Sequence, residues 1–86
     1  MSWRVTQVSP LDEYRLQVTF FDGTTGEADL SKLVTSEKSG VFAVLRDRNL
    51  FNKVYLNYGA ITWPGEIDLA PEVLYRAIKR SGKWEG

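Results

Sequence analysis

Histidine and cysteine are both absent from this chain of 86 residues. Without histidine, no side chain ordinarily titrates near neutrality, and the commonest general base and metal ligand is missing. Without cysteine there can be no disulfide, no thiolate nucleophile and no thiolate metal site. An excess of charge of one sign is lacking too: 11 Lys and Arg balance 11 Asp and Glu. A dedicated nucleic-acid binder is ordinarily visibly basic, and this chain is not. No apolar run approaches the ~20 residues that a membrane-spanning helix needs, and the first residues show no basic-then-apolar leader pattern. The expectation from these absences is a cytoplasmic protein with no catalytic residue, no cofactor and no metal.

What the chain does have is apolar and aromatic mass. Hydrophobic residues make up 43% of it, with three Trp, four Tyr and four Phe. That argues for a packed core and against disorder. The length predicts one domain, residues 1–86, burying only about 60–65% of the surface its unfolded chain exposes.

The pattern along the chain predicts an α+β fold. Trp3 to Val8 alternates as a strand, and Ser9-Pro10-Leu11-Asp12-Glu13 reads as a turn. Tyr14, Leu16, Val18 and Phe20 then share one face of a strand, opposite Arg15, Gln17 and Thr19. Asp22-Gly23 is a hairpin signal, and Thr25 to Asp29 is the return strand. Asp29 is placed to cap a short helical turn over Leu30 to Leu33. Thr35 to Gly40 is a polar loop, and Val41, Phe42 and Leu45 recur at helical spacing. A second hairpin joins Lys53–Asn57 to Ala60–Trp63 across Tyr58-Gly59. Pro71 opens a final helix that Gly82 stops, capped by Ala70 or Asp68. The predicted architecture is a small, mainly antiparallel sheet, with a three-stranded N-terminal meander plus a second hairpin, and the C-terminal helix packed on it.

Three constellations are candidates for function. On the final helix, Val73, Leu74, Ala77 and Ile78 form an apolar sector, and Arg76, Lys79, Arg80 and Lys83 form a basic one. A solvated back that complements the helix dipole explains the cations, and so does a docking face for an acidic partner or a phosphate backbone. The acids Asp22, Asp29, Asp68 and Glu72 suit turns and helix starts; an enzyme using them with Tyr14 or Tyr75 would need at least two to converge in a cleft. The aromatics Trp3, Tyr55, Tyr58, Trp63, Tyr75 and Trp84 exceed what so small a core readily holds. Trp84, beyond Gly82, is either a lid folded back on the sheet or a partner anchor.

The order of residues resembles that of a bacterial family, domain of unknown function twenty-four forty-two. The matching pieces are Val8-Ser9-Pro10, Tyr14-x-Leu16-x-Val18-x-Phe20, Asp22-Gly23 and Asp29-Leu30. Phe42-x-x-Leu45-x-Asp47, Phe51-x-x-Val54, Ile61-x-Trp63-Pro64 and Asp68-Leu69-Ala70-Pro71-Glu72-x-Leu74-Tyr75 follow. The resemblance implies a small α+β fold with an antiparallel sheet and no transferable chemistry. Members are similar to components of two-gene modules, which implies an antitoxin-like or regulatory role. Some members carry an added helix-turn-helix domain, which these residues do not include.

The leading expectation is therefore a non-catalytic protein-interaction or regulatory module. Its partner is a protein, such as a neighbouring gene's product, or a second copy in a homo-oligomer. The candidate contacts are Trp3, Arg76, Lys79, Arg80, Lys83 and Trp84, with Trp3 to Val8 as an edge strand open to pairing. The alternative is a nucleic-acid-binding accessory protein using the basic face of the C-terminal helix.

Overall fold

A computed structural model describes residues 2–86. Strands β1 (Val5–Leu11), β2 (Arg15–Phe20) and β3 (Thr25–Asp29) form the expected antiparallel meander. Leu16, Val18, Phe20 and Ala28 are buried on its inner face. The outer face is a polar ladder: Arg15 pairs with Glu27 at 2.6 Å, and Gln17 Nε2 donates to Thr25 Oγ1 at 2.9 Å. One dry and one wet face is what the alternation demanded.

The first strand and the turn after it depart from the expectation in detail. The first strand begins at Val5 rather than Trp3 and runs through Pro10 to Leu11. Proline is tolerated there because β1 is the outer strand of its sheet and pairs only with β2. Tyr14 stands in the turn rather than on the strand, with φ of 58° after Glu13 at 61°. Two left-handed non-glycine residues cost about 1–2 kcal/mol each. Offsetting contacts hold Tyr14 in place: its ring meets Phe51 edge-on at 5.4 Å, and its hydroxyl donates to the Arg46 carbonyl at 2.6 Å.

Asp22-Gly23 turns the second hairpin, with Gly23 at a φ of 88° and its N–H donating to the Phe20 carbonyl. Helix α1 (Ser31–Thr35) follows, and the Asp29 carboxylate accepts from the Ser31 amide at 2.9 Å and hydroxyl at 2.7 Å. A 3-10 segment (Gly40–Arg46) and helix α2 (Arg48–Phe51) carry the chain to a second sheet, and Asp47 caps α2 through the Asn49 amide. That sheet contains the expected hairpin, β4 (Tyr55–Asn57) and β5 (Ala60–Trp63). It also has a third strand, β6 (Ile67–Leu69), where the sequence read as a connection.

Helix α3 (Pro71–Ser81) ends at Gly82, whose φ is 80°. Its N-cap is Ala70, which makes no side-chain capping bond; Asp68 lies in β6 and does not cap it. Leu74 and Ile78 are buried, whereas Val73, expected in the apolar sector, is exposed. After Gly82 the chain adds β7 (Lys83–Glu85), parallel to β3, an element the sequence did not suggest. The two sheets have orders β1-β2-β3-β7 and β4-β5-β6. Between sheets and helices lies one core, in which Phe20, Leu30, Leu45, Phe51, Ile61 and Trp63 are fully enclosed. The buried indole N–H of Trp63 donates to the Phe51 carbonyl at 2.9 Å. Among the described residues no helix is long and apolar enough to cross a membrane.

Candidate interaction surface

The acids that the sequence singled out fall in separate settings. Asp22, in the β2–β3 turn, accepts from the Tyr75 hydroxyl at 2.6 Å and the Thr24 amide at 2.9 Å, with Lys79 Nζ 3.8 Å away. The Tyr75 bond above all, then the Thr24 bonds, lower its pKa from 3.8 to about 2. Asp29 lies at the other end of β3. Burial pushes its pKa up, but the Ser31 hydrogen bonds, Lys83 and Arg15 together hold it below the ordinary carboxylate value. Asp68 lies on β6, and Glu72 in the first turn of α3, where negative charge is favoured. No three acids cluster at metal-holding distance among the described residues.

The basic candidates are divided as well. Lys79 leans on Asp22 and over the Tyr75 ring, and Lys83 lies 3.9 Å from Asp29 and 3.8 Å from Glu85. Arg76 and Arg80 are exposed on α3 and make no ion pair among the described residues. Half of the presumed stripe is thus already matched by acids of the same chain. Trp84 is half-buried in β7, opposite Ala28, and packs against the core as a folded-back lid. Trp3 is half-buried just before β1.

The structure brings together residues that the sequence left apart. The Phe21 amide donates to the Arg4 carbonyl at 2.7 Å, and the next amide along, Val5, donates to the Gly59 carbonyl at 3.0 Å. These two bonds fasten the tips of the β2–β3 and β4–β5 hairpins to either side of Arg4. Gly59 sits against the Arg4 side chain so closely that any Cβ there would overlap it. On the tips, Tyr58 is 89% exposed and Phe21 66% exposed. Phe21 was not singled out at all, and Tyr58 only as one of the surplus aromatics. Signals for both were present. Phe20 and Phe21 are consecutive in a strand-like run, so one must face outward. A Tyr-Gly pair in a two-residue turn must stand at its tip.

Beside the Tyr58 tip lies a depression of about 230 Å3 on the outer face of the second sheet. Its lining is Tyr55, Asn57, Ala60, Thr62, Glu66 and Asp68. Strand register explains the set: Tyr55, Thr62 and Asp68 stand opposite one another across the three strands, with Asn57 opposite Ala60. Thr62, only 5% exposed, forms part of the floor and donates to the Ala60 carbonyl at 3.1 Å.

Aromatic tips around an arginine, bordering a polar hollow, are a surface suited to contact with another macromolecule. No curated protein matches the chain. No solved structure matches it either. Residues 5–80 match the family described as "Protein of unknown function (DUF2442)". With nearly its whole length matched, the chain belongs to that family.

Proposed function

We propose that this chain is a non-catalytic protein-interaction module, of the regulatory kind that the family resemblance suggested, and that it docks through the hairpin end built around Arg4. The observation that carries this reading is Tyr58. Its ring is almost wholly in water, yet its backbone has a φ of 52°, a region that bulky residues avoid. Neither packing nor backbone preference accounts for a tyrosine at that position, and contact with a partner does. Phe21 and Arg4 beside it are the other residue types that anchor interfaces. The nucleic-acid reading has less support, because Lys79 and Lys83 lie beside Asp22, Asp29 and Glu85 and the net charge is zero.

The test is affinity purification of the chain from its native host, with wild type and the double variant Phe21→Ser, Tyr58→Asn compared. The expected result is a stoichiometric protein retained by wild type and lost from the variant, with the variant's melting temperature undiminished. Retention that ignores both substitutions, or no stoichiometric protein at all, would overturn the reading.

A further inference from the structure

We infer that the depression on the second sheet seats an arginine or lysine side chain of the partner protein. This rests on the interaction reading above and adds the chemistry of one contact. Four of the eleven acids, Asp22, Glu27, Asp29 and Glu85, have a lysine or arginine nitrogen of this chain within 3.9 Å. Of the seven with no ion pair among the described residues, Glu66 and Asp68 are the two that line this hollow. Glu66 and Asp68 have neither an ion pair nor a side-chain hydrogen bond among the described residues, and no cation lines the hollow they share. Their field is left for a charge from outside.

The hollow is also shaped for a side chain. Its ~230 Å3 falls short of the roughly 300–1,000 Å3 typical of small-molecule pockets. One wall is Tyr55, whose ring can face a cation, and Asp68 stands across the sheet from it. Asn57 supplies an amide oxygen and Thr62 a hydroxyl oxygen, both acceptors for N–H donors. Glu66 comes to the rim because Gly65 and Glu66 both adopt positive φ, 97° and 64°, in the turn between β5 and β6. A bound phosphate backbone would meet two carboxylates here. Only two carboxylates line the hollow, and no group of three acids able to hold a metal ion occurs among the described residues, so calcium serves as a comparison probe rather than the expected ligand. The Tyr58 tip joins Asn57 to Ala60, so the hollow borders the aromatic end.

The experiment is an amide-resolved NMR titration of the isotope-labelled chain with N-acetylarginine amide and N-acetyllysine amide. N-acetylglutamate amide and calcium chloride serve as comparison probes. The expected result is saturable shifts at Asn57, Ala60, Thr62 and Asp68 with the cationic amides, with a dissociation constant on the order of 10 mM. Glu66→Gln and Asp68→Asn are each expected to weaken it by about two- to fivefold, and Tyr55→Leu by a similar factor. No shifts at those amides, equal shifts with the glutamate amide, or a response to calcium alone would overturn the proposal. The titration reads the hollow without any partner. Its failure is therefore separate from a failure of the Phe21 and Tyr58 variants to affect partner capture.

Discussion

The Tyr75 hydroxyl donates to the Asp22 carboxylate at 2.6 Å across a sequence separation of 53 residues. This bond ties the C-terminal helix to the tip of the first sheet, while the Tyr75 ring meets Phe20 edge-on at 5.1 Å. It gives the fold a pH window with two edges. Asp22 titrates at about 2 in the folded chain instead of 3.8, so its stabilising effect is complete above 3.8 and is lost as pH falls through about 2. The same bond raises the Tyr75 pKa above 10.0, so that contribution is present below 10.0 and is lost as pH rises past the raised value. Tyr75→Phe is expected to lower the melting temperature between these edges and to flatten both the acid and the alkaline decline. Melting curves by circular dichroism across pH check this; parallel pH profiles for the two proteins would refute it.

Tyr58 offers a test in the opposite direction. In a two-residue hairpin turn with positive φ at Tyr58 and Gly59, asparagine or glycine is the preferred first residue. Tyr58→Asn is expected to stabilise the chain by about 1 kcal/mol, a rise of roughly 4–8 °C in Tm for a domain of this size. Urea unfolding with an unchanged slope provides the measure. A loss of stability would mean that the exposed ring makes a contact within the fold, and the argument for a partner there would weaken.

Trp63 is a core position with a polar obligation. Its indole is fully buried, tilted against Phe51 at 5.9 Å, and its N–H satisfies the Phe51 carbonyl. Trp63→Ala is expected to cost about 3–5 kcal/mol, enough to unfold much of a domain with a single small core. Trp63→Phe removes less volume and takes one of two donors from the Phe51 carbonyl, which keeps the Val54 amide at 3.3 Å, so the lost bond costs about 1 kcal/mol. Urea midpoints in the order wild type, Trp63→Phe, Trp63→Ala check the ranking.

How far the sequence discloses this fold depends on how local each determinant is. The alternation in Leu16, Val18 and Phe20, the Asp22-Gly23 turn and the Pro71 and Gly82 boundaries are local signals, and each appears where expected. Strands β6 and β7 escaped because each is three residues long, too short for a period of two to show. β7 depends besides on a partner distant in the chain, β3, whereas β6 pairs with its neighbour β5 across the Pro64-Gly65 turn, which reads in the sequence as a break. The split of the basic residues between Asp22, Asp29 and solvent is a tertiary fact that a helical wheel does not contain. The aromatic end is partly legible, since Tyr58-Gly59 and Phe20-Phe21 mark outward residues locally. Their meeting around Arg4 comes only from the two backbone bonds that join β1 to both hairpins.

Gly26 shows why the parallel strand β7 can exist at all. A Cβ on this residue would lie 2.5 Å from Ile78 Cγ2 and 2.6 Å from the Gly82 carbonyl oxygen. The last turn of α3 therefore rests directly on the backbone of β3. From there the Glu27 amide donates to the Gly82 carbonyl at 3.2 Å, which sets the register of Glu27 opposite Lys83 and Ala28 opposite Trp84. Gly26→Ala must push α3 outward or shift Ile78, at a cost of about 1–3 kcal/mol. If the cost falls on the helix–strand junction, β7 should come loose before the core does. Hydrogen exchange at the Glu27 and Gly86 amides should then quicken, and Trp84 fluorescence should move to the red, while the Trp63 indole N–H stays protected. Uniform loss of protection at all these sites would instead show that β7 and the core unfold as one unit.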